Sequence, residues 1–160
     1  MYAITGITGK VGGELARALL ARGERVRAVL RDGNKANDWD RLGCEIALAD
    51  LTNPPALTRA FSGATGVFIL PPPVFDPEPG YPEARRVIGA VRAALESARP
   101  NRVVCLSTIG ADAEEDNLLT QRTLMEQALS INQAGRSIVT GTDRSPSAAS
   151  IKVRWVSRLS

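Results

Sequence analysis

The chain has 160 residues, 44% hydrophobic and 23% charged, with a formal net charge of +3 and a pI near 9.2. At roughly 150 residues per domain, this is one domain's worth of chain, long enough to bury a core. Histidine is absent, which excludes Ser-His-Asp and Cys-His catalysis within the chain and most zinc sites, and no metal site is expected.

With two Trp, two Tyr and three Phe, the core must be mainly aliphatic. Cys44 and Cys105 both lie in apolar runs, which predicts reduced, buried thiols and a cytoplasmic protein. The N-terminus shows no secretory pattern and no apolar run approaches a membrane span, so no membrane partner is expected. Residues 1–130 hold 15 basic and 16 acidic side chains, whereas residues 131–160 hold five basic ones against Asp143 alone. The positive balance therefore belongs to the last thirty residues, and no nucleic-acid partner is expected for the near-neutral body.

Tyr2-Ala3-Ile4-Thr5 reads as a first strand ending in a glycine turn. From Lys10 to Arg22, Val11, Leu15, Ala16, Leu19 and Leu20 fall on one helical face, and Gly23 stops the helix. Arg25 to Arg31 alternates like a strand until Gly33-Asn34 breaks it, and Cys44 to Asp50 is a third strand. Thr52 is read as the cap of the next helix, with Pro55 in its first turn and Leu57, Ala60 and Phe61 facing inward. Val67 to Leu70 is a continuous apolar run, as a strand buried on both faces requires. Helices from Glu83 to Arg99 and from about Leu118 to Ser130 flank a fifth strand at Val103 to Leu106. This alternation predicts an α/β fold: a doubly wound parallel sheet of five strands, with chemistry beyond the carboxyl ends of the strands.

After strand one, Thr5-Gly6-Ile7-Thr8-Gly9-Lys10-Val11-Gly12 spaces three glycines between a strand and a helix. The first permits a tight turn, the second admits a pyrophosphate to the backbone, and the third lets helix pack on strand. The pyrophosphate would sit on the helix N-terminus, at free N–H groups such as those of Lys10 and Val11. After strand two come Arg31, Asp32 and Lys35. An arginine suits a 2′-phosphate where an acid suits a ribose hydroxyl, so the pattern points to NADP and Asp32 keeps NAD open. Ala49-Asp50-Leu51 ends strand three, and six prolines between Pro71 and Pro82 form a stiff loop after strand four. Tyr81 closes that loop and is read as a packing residue.

The TGxTGxxG opening, the basic residue after strand two and the Ala-Asp-Leu after strand three resemble the atypical short-chain dehydrogenase/reductases. Within these the chain is most similar to the NmrA-like branch, which includes NADPH-dependent quinone reductases and redox-sensing regulators. The resemblance covers about residues 1–130. It implies a Rossmann fold whose cofactor contacts are Gly6, Thr8, Gly9, Lys10, Val11, Gly12, Arg31, Lys35, Asp50, Leu51, Leu70 and Pro71. Asp50 would accept from the adenine amino group and Leu51 would flank the ring. Ser107 matches the hydroxyl that the family brings to the nicotinamide and is the one weak catalytic candidate. Where catalytic members carry Tyr-x-x-x-Lys, placing Glu126 on the family's glutamate puts Leu118 and Arg122. The tyrosine is missing, which excludes proton transfer by that route.

The resemblance thus implies an NADP(H)-binding oxidoreductase of the quinone-reductase type, acting on a small-molecule acceptor. Two alternatives stay open: a non-enzymatic nucleotide-redox sensor that binds a protein partner, and a truncated remnant without activity. The domain reading is a cofactor domain over residues 1–130 and an atypical basic, Ser-rich segment over 131–160, with the substrate region lacking. Three readings of that last segment compete: a basic tail, a divergent sixth strand, and a carboxyl end foreign to the fold. Ile151 to Val156 alternates as a strand would.

Overall fold

A computed structural model describes residues 1–72, 74–106, 120–131, 136–142 and 152–158. The strands are β1 (Tyr2–Thr5), β2 (Val26–Leu30), β3 (Glu45–Leu48), β4 (Gly66–Ile69), β5 (Arg102–Leu106), β6 (Arg136–Thr142) and β7 (Lys152–Arg158). The helices are α1 (Lys10–Ala21), α2 (Ala36–Arg41), α3 (Pro54–Phe61), α4 (Pro82–Ala98) and α5 (Thr120–Ile131). They build one sheet of order β3-β2-β1-β4-β5-β7-β6. The first five strands are parallel, as the sequence predicts.

The sheet is wound on both faces. On one face, Leu57 and Phe61 of α3, Val87 and Val91 of α4 and Met125 and Leu129 of α5 pack with Val67, Ile69 and Val103. On the other, Ala16 of α1 and Trp39 of α2 pack with Ile4, Ala28, Leu30 and Phe68. Strand neighbours thus send alternate side chains to opposite cores, which is why β4 is apolar throughout. Both cysteine side chains are buried, as expected.

The structure differs from the sequence reading in several places. Helix α2 was not expected; it is only six residues long, and Trp39 is its single buried residue. The cap of α3 is Asn53, not Thr52: the Asn53 carboxamide oxygen accepts from the amide of Ala56 at 3.1 Å. Had Thr52 been the cap, the third helical residue would be Pro55, which has no N–H to give.

Beyond the five parallel strands, β7 pairs antiparallel with β5, from Leu106 beside Val153 to Arg102 beside Ser157. Strand β6 pairs antiparallel with β7 in turn. The alternating stretch near residue 151 is therefore a strand, and a second strand that the sequence did not suggest lies outside it. Ser107 and Leu118 lie outside the described residues.

Candidate cofactor site

The order β3-β2-β1-β4-β5 reverses direction about β1, so the crossovers on either side of β1 leave the sheet in opposite directions. That is where a crevice opens in a doubly wound sheet. A cleft of about 600 Å³ lies here, over the carboxyl ends of β1 to β4. Its walls include Gly6, Thr8, Gly9, Arg31, Lys35, Asp50, Leu51, Leu70 and Pro71. These nine expected site residues come from four separate strand ends, and the fold gathers them.

The glycines explain the turn between β1 and α1. Gly6 has φ +63°, and a β-carbon there would lie 2.9 Å from Cδ2 of Leu70. A β-carbon on Gly9 would lie 3.3 Å from the Gly6 carbonyl oxygen, and one on Gly12 only 2.4 Å from it. Lys10, Val11 and Gly12 do not line the cleft; they lie in the first turn of α1. Gly9 caps α1 without a side-chain hydrogen bond, and no acidic residue occupies the first turn. The leading N–H groups of α1, from Lys10, Val11 and Gly12, therefore face outward without intrahelical acceptors. Lys10 is exposed.

Thr5 was not singled out in the sequence. It is buried, its hydroxyl donates to the Phe68 carbonyl at 3.2 Å and accepts from the Leu70 amide at 2.9 Å. The last paired residues of β1 and β4 are Ile4 and Phe68, so this hydroxyl carries the strand connection one step further, into the cleft floor.

At the other end, Arg31 follows β2 directly and is exposed, as is Lys35 in the 3-10 turn Gly33–Lys35. Asp32 spends a carboxylate oxygen on that turn, accepting from the Asn34 amide at 2.9 Å. Asp50 accepts from the Thr52 hydroxyl at 2.6 Å and from the Thr52 amide at 2.8 Å. These hydrogen bonds hold its carboxyl below the ordinary aspartate range, and the charge of Arg31 pulls in the same direction. The site thus presents a carboxylate fixed as an acceptor near an exposed guanidinium.

Arg122 is the other residue that strand-by-strand reading undervalued. It lies in the first turn of α5, lines the cleft, and donates from Nη1 to the Pro71 carbonyl at 2.8 Å. Its neighbour Gln121 donates to the Val74 carbonyl at 2.8 Å. Together they fasten the proline segment to α5. Tyr81 has a left-handed backbone at the cap of α4 and is not among the residues lining the cleft. Among the described residues no cluster of His, Cys, Asp and Glu could hold a metal, and no helix is long and apolar enough to cross a membrane.

A glycine cradle that a single methyl group would fill, below a cleft with an acceptor and a cation at its far end, fits a dinucleotide. A family model described as NAD(P)H-binding matches residues 6–143. The chain belongs to this NAD(P)H-binding family. The NmrA-like Rossmann reading of the sequence stands. Among curated relatives, the NAD(P)H azoreductase of Xenophilus azovorans is 28% identical over 135 residues, 84% of this chain and 44% of that one. Among solved structures, the NADPH-dependent quinone oxidoreductase of Escherichia coli complexed with NADPH superposes with a TM-score of 0.69 at 22% identity. The match covers 82% of this chain and 45% of that one. The Citrobacter sp. triphenylmethane reductase complexed with NADP(H) gives 0.68 at 22% identity, over 81% and 45%. At that identity the likeness is one of fold. The chain spans less than half the length of each of these three proteins.

Proposed function

We propose that the chain binds NADP(H) in the 600 Å³ cleft and serves an oxidoreductase of the quinone-reductase type. The observation that carries this reading is the pairing of Gly12 with Gly6 beneath a cleft that also holds Arg31 and Asp50. The leading amides of α1 would hold the pyrophosphate, where the helix end favours negative charge. Arg31 would take the 2′-phosphate as a planar fork, with Lys35 as a second cation. Asp50, kept ionised by Thr52, would accept from the adenine amino group while Leu51 flanks the ring. Leu70 and Pro71 would border the nicotinamide ribose. When bound, the cofactor supplies a hydride.

Named relatives act on azo, quinone and triphenylmethane compounds, which supports a flat, conjugated acceptor. Such an acceptor takes its proton from solvent, so the missing tyrosine of the Tyr-x-x-x-Lys pair is no obstacle. The same absence favours a second reading, in which the nucleotide is bound and sensed without turnover and a protein partner reads the state. Isothermal titration with NADPH and NADH tests the cofactor claim: the expected result is tighter NADPH, and no binding of either would overturn it. NADPH oxidation with a panel of quinones separates the two readings. Turnover supports the enzyme; binding without turnover supports the sensor.

A further inference from the structure

A second cavity of about 300 Å³ adjoins the cofactor cleft, at the lower end of the range for small-molecule sites of about 300–1,000 Å³. It lies between the first turns of α4 and α5 under the proline segment. Val74, Phe75, Ala84, Ile88 and Met125 form its apolar lining. Thr52, Pro71, Pro72, Val87 and Arg122 belong to both cavities.

Two features set this cavity apart from a packing void. First, Phe75 beside it is 78% exposed, a large aromatic left in water where a flat ligand could cover it. Second, among the described residues the half-buried guanidinium of Arg122 has one hydrogen-bond acceptor, the Pro71 carbonyl, for its five N–H donors. None of the ion pairs among the described residues includes Arg122. Burial penalises its charge and pushes its pKa down. Glu83 and Arg86 also line the cavity, but both are exposed and of opposite sign, so Arg122 is the charge within. A half-buried guanidinium that no carboxylate among the described residues pairs with gains most from an anion that brings its own forked acceptor.

We propose that this second cavity is a binding site for a small flat aromatic bearing one anionic group, its rings against Phe75 and Met125 and its anion on Arg122. The proposal does not depend on what fills the neighbouring cleft. The probe is 2-naphthoate, with the uncharged 2-naphthamide as its shape-matched control, titrated without nucleotide.

The chain has two methionines, Met1 and Met125, so a spectrum of ¹³C-methyl-labelled methionine reports on the cavity directly. Naphthoate is expected to shift the Met125 methyl signal and leave Met1 in place. It is expected to bind about tenfold tighter than the amide, the worth of one charge-assisted contact. Arg122→Gln should erase that preference while keeping affinity for the amide. Ala84→Trp, which fills the cavity from α4, should abolish binding of both and leave NADPH binding unchanged. An unmoved Met125 signal, equal affinity for the two probes, a preference that survives Arg122→Gln, or naphthoate binding that survives Ala84→Trp would each overturn the proposal.

Discussion

Gly12 of helix α1 packs so tightly on Gly6 that a β-carbon on it would sit 2.4 Å from the Gly6 carbonyl oxygen. The obstacle is backbone on both sides, so no side chain can swing aside. Gly12→Ala must push α1 away from the end of β1, and overpacking of this kind costs about 1–3 kcal/mol. Urea unfolding should register that loss, and titration should find NADPH binding weakened because the cradle has widened. Wild-type affinity in a fully folded Gly12→Ala protein would contradict the assignment of the cradle.

Gly89 makes the opposite case. It lies in the middle of α4, is exposed, and a β-carbon there would meet nothing within 4 Å. Gly89→Ala is expected to stabilise by about 0.4–1 kcal/mol, through lost freedom of the unfolded chain. A raised midpoint in urea with an unchanged slope is the expected observation.

Removing the Arg31 fork should act on one nucleotide only. Arg31→Ala is expected to weaken NADPH by about tenfold or more, the worth of a charge-assisted contact, and to leave NADH nearly unchanged. Parallel titrations measure it. Equal losses for both nucleotides would mean that Arg31 contacts something other than a 2′-phosphate.

Asp50 gives a pH signature. Its folded pKa is lowered by the Thr52 hydrogen bonds. A lowered folded pKa contributes stability that is present above the unfolded value and disappears as pH falls through the folded one. Thr52→Val removes the hydroxyl donor, so the Asp50 pKa should rise toward its ordinary range, as a carboxyl ¹³C titration would follow. The stability gap between wild type and Thr52→Val should be widest near neutrality and vanish at acid pH.

Arg27 is a stability test away from the cleft. Its side chain is 12% exposed, pairs with Glu45 at 2.7 Å and donates to the carbonyls of Ala60 and Ser62, both at 2.8 Å. It binds β2 to β3 and to the end of α3. Arg27→Met keeps the aliphatic stem but takes the donor from the part-buried Ala60 carbonyl, at a cost of about 1 kcal/mol or more, while water can replace it at the exposed Ser62 carbonyl. Equilibrium unfolding reads it.

Features set by neighbours in the chain were legible from residues alone. The glycine turn declares itself because only glycine readily takes the left-handed backbone at residue 6 and tolerates the backbone approach at residue 12. Arg31 and Asp50 declare themselves because strand ends face the crevice. Long-range partners did not. Arg122 and Pro71 are 51 positions apart, and Gln121 and Val74 are 47 apart, so nothing local hints that α5 clamps the proline segment. Asn53 and Thr52 can both cap a helix, and only the helical register of the two prolines decides between them. Strand β7 was visible as alternation, but its antiparallel pairing with β5 depends on contacts no local pattern encodes. Thr5 read as an ordinary strand residue because its role lies in reaching β4.

That hydroxyl has a consequence on the timescale of solvent exchange. The Leu70 amide lies one residue beyond β4, on the wall of an open cleft, where a backbone hydrogen would ordinarily be traded with water quickly. Bonded to the buried Thr5 hydroxyl, it is released when that contact breaks between the ends of β1 and β4. Deuterium uptake at Leu70 therefore times the loosening of this contact in the cleft floor, and Thr5→Val would let that clock run fast while the rest of the sheet keeps its protection.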